Sequence, residues 1–181
     1  SYVAAFDLGG WDECFPSVAP GVYPAEPWEG TPLPDHGELW SQPWVVEARI
    51  EGERLFVRGR VEGRLLPYRF ERLLTLEADR PSVHLRYRVE NRSEHTLYFL
   101  WAAHPLFPLE RGMRLLLPGP AAGRVAAAVG LSPVATTFEW PRLPTTGGGV
   151  DLQEPDPAGG WAVKVFLRPA AAWARLARPD G

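Results

Sequence analysis

From Val45 onward apolar side chains recur at every second position, and this period decides the fold class. Val83, Leu85, Tyr87 and Val89 alternate with His84, Arg86, Arg88 and Glu90. Successive side chains of a strand point to opposite faces, so the pattern describes a strand with one buried and one wet face. A helix would instead group its apolar residues three and four apart. The same reading predicts strands over 45–50, 54–61, 68–77 and 96–103, and a later one over 161–167. Turn signals separate the first of these: Glu51-Gly52, Glu62-Gly63, Asp79-Arg80-Pro81 and Asn91-Arg92-Ser93. Short strands at this spacing form an antiparallel meander in a sandwich or barrel.

The flanks read differently. Residues 1–44 are rich in proline and glycine, which shortens regular elements. They also hold Trp11, Trp28, Trp40 and Trp44, more large aromatics than a disordered linker carries. The expectation is long ordered loops packed onto a sheet, and such loops often carry function. Beyond Pro118 the pattern is weaker. Residues 121–129 fit either a short helix or a small-residue loop, and 145–149 read as a flexible turn. Residues 170–177 have helical propensity and run into the turn Arg178-Pro179-Asp180-Gly181. No repeat or linker divides the chain, so 1–181 is expected to be a single domain. It opens on Ser1-Tyr2-Val3 without an initiator methionine, and both ends are read as cuts.

Charge narrows the partners. The 19 basic and 22 acidic residues leave a net charge of −3, with no electrostatic pull toward nucleic acid or an anionic membrane. No apolar run approaches the roughly 20 residues of a membrane span, and no secretion signal opens the chain. Cys14 is the single cysteine, so an intramolecular disulfide is excluded and a reducing, cytoplasmic setting is expected.

Three segments concentrate chemistry: Gly9-Gly10-Trp11-Asp12-Glu13-Cys14-Phe15-Pro16-Ser17, Pro34-Asp35-His36-Gly37-Glu38-Leu39-Trp40, and Leu97 through Phe107 with its His104-Pro105-Leu106-Phe107 end. The first two set carboxylates and a histidine beside aromatic rings. A neutral sugar needs both, polar groups for its hydroxyls and a flat apolar ring for its C–H face. His104 shares strand parity with Tyr98, Leu100 and the small Ala102. Pro105 disfavours helix there and holds the histidine at a strand end. Trp101 has the opposite parity and is assigned to the core.

On these motifs, in this order on a β background, the first 107 residues resemble the aldose 1-epimerase and galactose-mutarotase-like superfamily. That family pairs a Gly-Gly loop with a His-Gly motif and a strand ending in His-x-x-Phe. The resemblance implies an all-β antiparallel supersandwich, lacking its N- and C-terminal strands in this chain. It implies ring opening of a cyclic sugar, in which a base takes the anomeric hydroxyl proton while an acid protonates the ring oxygen. His104 matches the family's general acid, and an imidazole suits that role because it exchanges protons near neutrality. His36 matches the sugar-binding histidine. Asp12, Glu13 and Trp40 are the further expected sugar contacts, with no metal and no cofactor.

Two departures from the family stand out. Its general base is a glutamate near the end of the full domain, and no segment here matches convincingly; Glu154-Pro155 resembles it superficially but precedes a predicted strand. The sugar-phosphate branch often has arginine four residues after the His-Gly histidine, and here that position is Trp40. A neutral sugar is therefore expected over a phosphorylated one.

Other readings stand beside each of these. A sugar-binding module without turnover fits the same fold, because fold does not dictate function. Exposed edges of an incomplete sandwich favour a homodimer. His84 and His95 read as structural. Asp12 and Glu13 also suit turn capping, and Trp40 and Trp44 also suit anchoring of the loop. Cys14 with His36 as base lacks any cue for a lowered thiol pKa. His36-Gly37-Glu38 has no partnering Pro-Cys-x-x-Cys for a zinc deaminase. The Gly147–Gly149 run lacks the Lys-Ser/Thr of a phosphate loop, and Asn91-Arg92-Ser93 lacks a secretion signal for glycosylation.

Overall fold

The computed structural model describes residues 10–179. Residues 1–9, including the Gly9 of the Gly-Gly pair, and the Asp180-Gly181 end of the expected turn lie outside them. The described chain is all-β, with several antiparallel sheets, and forms two compact units, one ending at Leu106 and the other starting at Phe107.

The first unit carries β1 (Gly10–Cys14), the short β2 (Gly21–Val22) and β3 (Pro32–Leu33), then β4 (Val45–Glu51), β5 (Arg54–Glu62), β6 (Tyr68–Glu77), β7 (Val83–Asn91) and β8 (Ala102–Leu106). Strands β4 to β7 form the expected antiparallel meander, in chain order. Its register explains its two faces. Val61 pairs with Phe70 and Phe70 with Val89, so these side chains share a face. That face meets the loops at a core of Phe15, Tyr23, Leu39, Val61, Leu66, Tyr68 and Phe70. Phe15 stands edge-on to Tyr68 with centroids 4.6 Å apart, and tilts onto Phe70 at 5.2 Å. Each such buried ring contributes about 1.5–3 kcal/mol through lost water contact. The opposite face is a charge ladder. Arg58 donates to Glu71 (Nε, 2.8 Å), Arg69 to Glu62 (2.6 Å) and Arg60 to Glu47 (3.1 Å). Exposed pairs like these add little stability and mark a solvated face.

The proline- and tryptophan-rich start is ordered, as expected, and packs onto this sheet. Trp44 lies on Gly59, where a Cβ would come within 2.8 Å of its ring, and stands edge-on to Phe70. The segment also forms β1, which the sequence does not announce. Strand β1 pairs with β8 as a separate two-stranded ribbon.

Three sequence expectations need correction. The strand expected over 96–103 begins only at Ala102; residues 96–101 have no ladder partner, and Leu100 N–H donates instead to the Pro16 carbonyl at 2.8 Å. Parity counted back from His104 therefore fails, and Trp101 is not a core residue but 43% exposed. The other two concern the second unit. The segment 121–129, expected as a short helix or loop, is a strand over Ala122–Val129, and the helical propensity of 170–177 gives way to bends and a short strand. Partners on both sides of the first strand, and one neighbour beside the second, override alanine's local preference.

The second unit comprises β9 (Arg114–Leu116), β10 (Ala122–Val129), β11 (Thr137–Glu139), β12 (Arg142–Thr145), β13 (Gly148–Asp151), β14 (Ala162–Arg168) and β15 (Arg175–Ala177). Strands β10 to β14 make a five-stranded sheet in the order β13-β12-β11-β10-β14, and β15 pairs with β9. The small residues of β10 have a packing reason. A Cβ on Gly123 would lie 2.5 Å from the Phe138 ring, so only glycine lets that ring lie across the strand. The core holds Ala121, Phe138, Trp140, Leu143 and Leu152. The expected turn at 145–149 is the tip of the β12–β13 hairpin, with Thr145 and Gly148 already paired across it. Among the described residues no helix is long and apolar enough to cross a membrane.

Candidate functional site

Two histidines that are far apart in sequence meet in the first unit. The rings of His36 and His104 lie with centroids 5.1 Å apart, tilted at 53°. Each is set by a different local device.

His104 sits on β8 directly opposite Asp12 of β1. Residues opposed in an antiparallel pair point to the same face, with Cβ atoms roughly 4.5–5.5 Å apart. Asp12 and His104 therefore share one face of the ribbon, with Cys14 and Ala102 farther along it. Cys14 itself is 1% exposed.

His36 is held by backbone geometry. It has φ of 60°, making it the one non-glycine residue with positive φ among the described residues. Left-handed backbone costs an ordinary L-residue about 1–2 kcal/mol, and such strain gathers at functional sites. The turn is closed by Gly37 N–H donating to the Pro34 carbonyl at 3.1 Å, and Glu38 N–H donates to the Phe15 carbonyl at 2.9 Å. Gly37 is required where it stands. Its φ is 71°, and a Cβ there would lie 2.1 Å from the Phe15 carbonyl oxygen. The His36 Nδ1 lies 3.1 Å from an Asp35 carboxylate oxygen.

Strand alternation sends Glu13 the other way. Its side chain is 1% exposed and accepts from Tyr87 Oη at 2.8 Å, Trp101 Nε1 at 3.1 Å and Arg72 at 3.3 Å. Burial, and then the bond to Glu13, push the Tyr87 phenol well above its ordinary value, so Tyr87 keeps its proton and stays a donor. Trp101, assigned to the core from sequence, is instead a partner of this carboxylate and leans on Tyr87 at 4.9 Å. Trp40 follows the His36 turn. Its Nε1 donates to the Gly37 carbonyl at 3.0 Å, while 36% of the residue remains exposed.

Glu38 is the second buried carboxylate. It accepts from Tyr68 Oη at 2.7 Å and from the Arg64 and Leu65 amides at 3.2 Å. Desolvation and the Glu38 bond raise the Tyr68 phenol far above its usual range. Thus His36 and His104 meet, Asp12 pairs with His104 across the ribbon, Trp40 lies in the short 3-10 helix Leu39–Ser41 after the His36 turn, and Glu13 is built into the scaffold. Sequence reasoning missed Tyr68, Tyr87 and Arg72, whose contacts with these carboxylates depend on register across the sheet. Glu154, the superficial match to the family base, lies in the second unit, exposed and 3.6 Å from Arg114. Among the described residues no group of three or more His, Cys, Asp or Glu side chains could hold a metal ion.

The arrangement brings two imidazole rings to 5.1 Å, one of them on the ribbon opposite Asp12 and the other in the turn that precedes Trp40. No protein-family model, curated protein or solved structure matches the chain.

Proposed function

We propose that this chain carries the acid and sugar-binding side of an aldose 1-epimerase-type site, in a domain of the galactose mutarotase-like supersandwich class. The observation that supports this most is the approach of His36 and His104 to 5.1 Å between centroids, from segments 68 residues apart by number. In this reading His104 protonates the ring oxygen of a neutral aldose while the anomeric hydroxyl loses its proton to a base. The open aldehyde then rotates and recloses as the other anomer. His36 and Asp12 hold hydroxyls, and the exposed part of Trp40 offers a C–H platform.

Polarimetry of freshly dissolved α-D-glucose and α-D-galactose tests the proposal. The protein is expected to speed the approach to rotational equilibrium, and His104→Gln to slow the catalysed rate by about 10²–10⁴-fold, the usual worth of a general acid. An unchanged rate in that variant would remove His104 from the acid role.

One observation favours a second reading, a sugar-binding module without turnover. Glu13 and Glu38, the glutamates of the two loop motifs, are both committed to protein donors. Calorimetric sugar binding that His36→Ala abolishes, with no polarimetric acceleration, would decide for it.

A further inference from the structure

We propose that β4 is a self-complementary edge through which two copies of this chain associate, antiparallel, about a two-fold axis at Ala48. Strand β4 ends its sheet, and among the described residues its one neighbour is β5. All seven of its residues are exposed, including Val45 at 61%, Val46 at 60% and Ile50 at 76%. Natural edge strands are usually blunted by shortness, a bulge, proline or charged side chains; the charges of β4 alternate in sign, Glu47, Arg49 and Glu51, so they match a second antiparallel copy. This one is regular along its whole pairing with β5 and contains no proline.

The backbone is ready for such pairing. The two-residue turn Gly52-Glu53, with Gly52 at φ 58°, closes on the pair Glu51 and Arg54. Hydrogen-bonded and non-bonded pairs alternate along an antiparallel ladder. The amides and carbonyls of Glu51, Arg49, Glu47 and Val45 therefore turn toward β5, and those of Ile50, Ala48 and Val46 turn outward. A two-fold axis at Ala48 sets Ala48 against Ala48 and Val46 against Ile50 of the second copy. Each outward amide then meets an outward carbonyl.

The side chains select this register and this partner. On the solvated face Glu47 comes opposite Arg49 of the second copy, and Arg49 opposite its Glu47, with Val45 opposite Glu51 at the two ends of the contact. On the other face Val46 meets Ile50 in both directions. Opposite charges and aliphatic pairs are the favourable cross-strand combinations, and like charges directly opposed are unfavourable. A one-residue slip would send the aliphatic side chains to the charged face. The contact is isologous, so it closes at two copies and does not propagate.

Charge reversal tests both the surface and the register. Sedimentation velocity over a concentration series is expected to show the wild-type protein in monomer–dimer equilibrium. E47R alone sets two arginines face to face at each contact, and R49E alone sets two glutamates; each is expected to raise the dimer dissociation constant by about tenfold or more. An equimolar mixture of E47R and R49E restores opposite charges at every contact and should dimerise again, as should the double variant E47R/R49E. Both positions are exposed, and unchanged melting temperatures will show that the variants fold. A monomeric wild type, a dimer indifferent to both single reversals, or a mixture that stays monomeric would each overturn the proposal.

Discussion

Removing the Glu38 carboxylate should cost this protein a large part of its stability, because three donors converge on it where water is excluded. Glu38 is 5% exposed and Tyr68 1%. Its oxygens accept from the Tyr68 hydroxyl at 2.7 Å and from the Arg64 and Leu65 amides at 3.2 Å. In Glu38→Ala the tyrosine hydroxyl is orphaned in the core, at a cost of about 1–3 kcal/mol, and the Leu65 amide adds a similar amount. The Arg64 residue is exposed, so water will rescue its amide. Freeing a buried charge from its desolvation offsets part of this. The net expectation is a loss of about 3 kcal/mol, against a total of about 5–15 kcal/mol for a typical domain. Urea unfolding measures it, with Tyr68→Phe and the double variant completing a cycle. A hydrogen bond to a charged group should give a coupling of about 1.5–3 kcal/mol. Glu62→Ala is the control, since it removes only an exposed pair with Arg69 and should cost less than about 1 kcal/mol. If Glu38→Ala cost no more than this control and showed no coupling to Tyr68, the convergence of donors would carry no weight in the fold.

Other expectations follow from the same region. Gly37→Ala meets both a positive φ and a carbonyl oxygen, whereas Gly52→Ala meets a positive φ in open space. Thermal melts should show about 1 kcal/mol lost at Gly52 and more than about 3 kcal/mol at Gly37, and equal losses would mean that backbone strain alone is at work. His36→Asn should be neutral or stabilising by up to about 1 kcal/mol, because asparagine tolerates left-handed backbone, while calorimetry should show sugar affinity falling at least tenfold. The raised Tyr68 phenol fixes the sign of an alkaline effect. Its stabilising contribution is complete below the unfolded value and falls as pH rises above it, by up to about 1.4 kcal/mol per pH unit from about pH 10. Urea midpoints of Tyr68→Phe, less stable at neutral pH, should therefore decline less steeply than wild type above that pH.

The fold was legible where the period was local. Alternation along 45–50, 54–61, 68–77 and 83–90 needs no knowledge of neighbours, and the meander follows it closely. Strands β1 and β10 were not legible, because their sequences carry no alternation of their own and are held by partners far along the chain. In the site, His36 and His104 stood out through motif order, but His104 lies at the middle of β8 and not at the expected strand end, because the ladder with β1 runs on through Pro105 to Leu106. Trp101 was misassigned because parity was carried through 96–101, where no ladder enforces it. The donors Tyr68, Tyr87 and Arg72 were invisible, since only register across the sheet brings them to the acids they serve.

The four acids around the histidines show how that division works. Asp12 and Glu13 are adjacent in sequence, yet alternation turns Asp12 to the His104 face and buries Glu13 against Tyr87, Trp101 and Arg72. Asp35 and Glu38 flank the His36-Gly37 turn, and again the aspartate meets the imidazole while the glutamate reaches inward to Tyr68. Length fits the task. The longer glutamate side chain spans from loop or ribbon to the meander and ties the segment down with charge-assisted bonds. The shorter aspartate stays near its own backbone, beside the rings. Each histidine segment is thus clamped by one buried glutamate and faced by one aspartate. The His36–His104 pair therefore has Asp12 and Asp35 as its neighbouring carboxylates, while Glu13 and Glu38 tie its two segments to the meander.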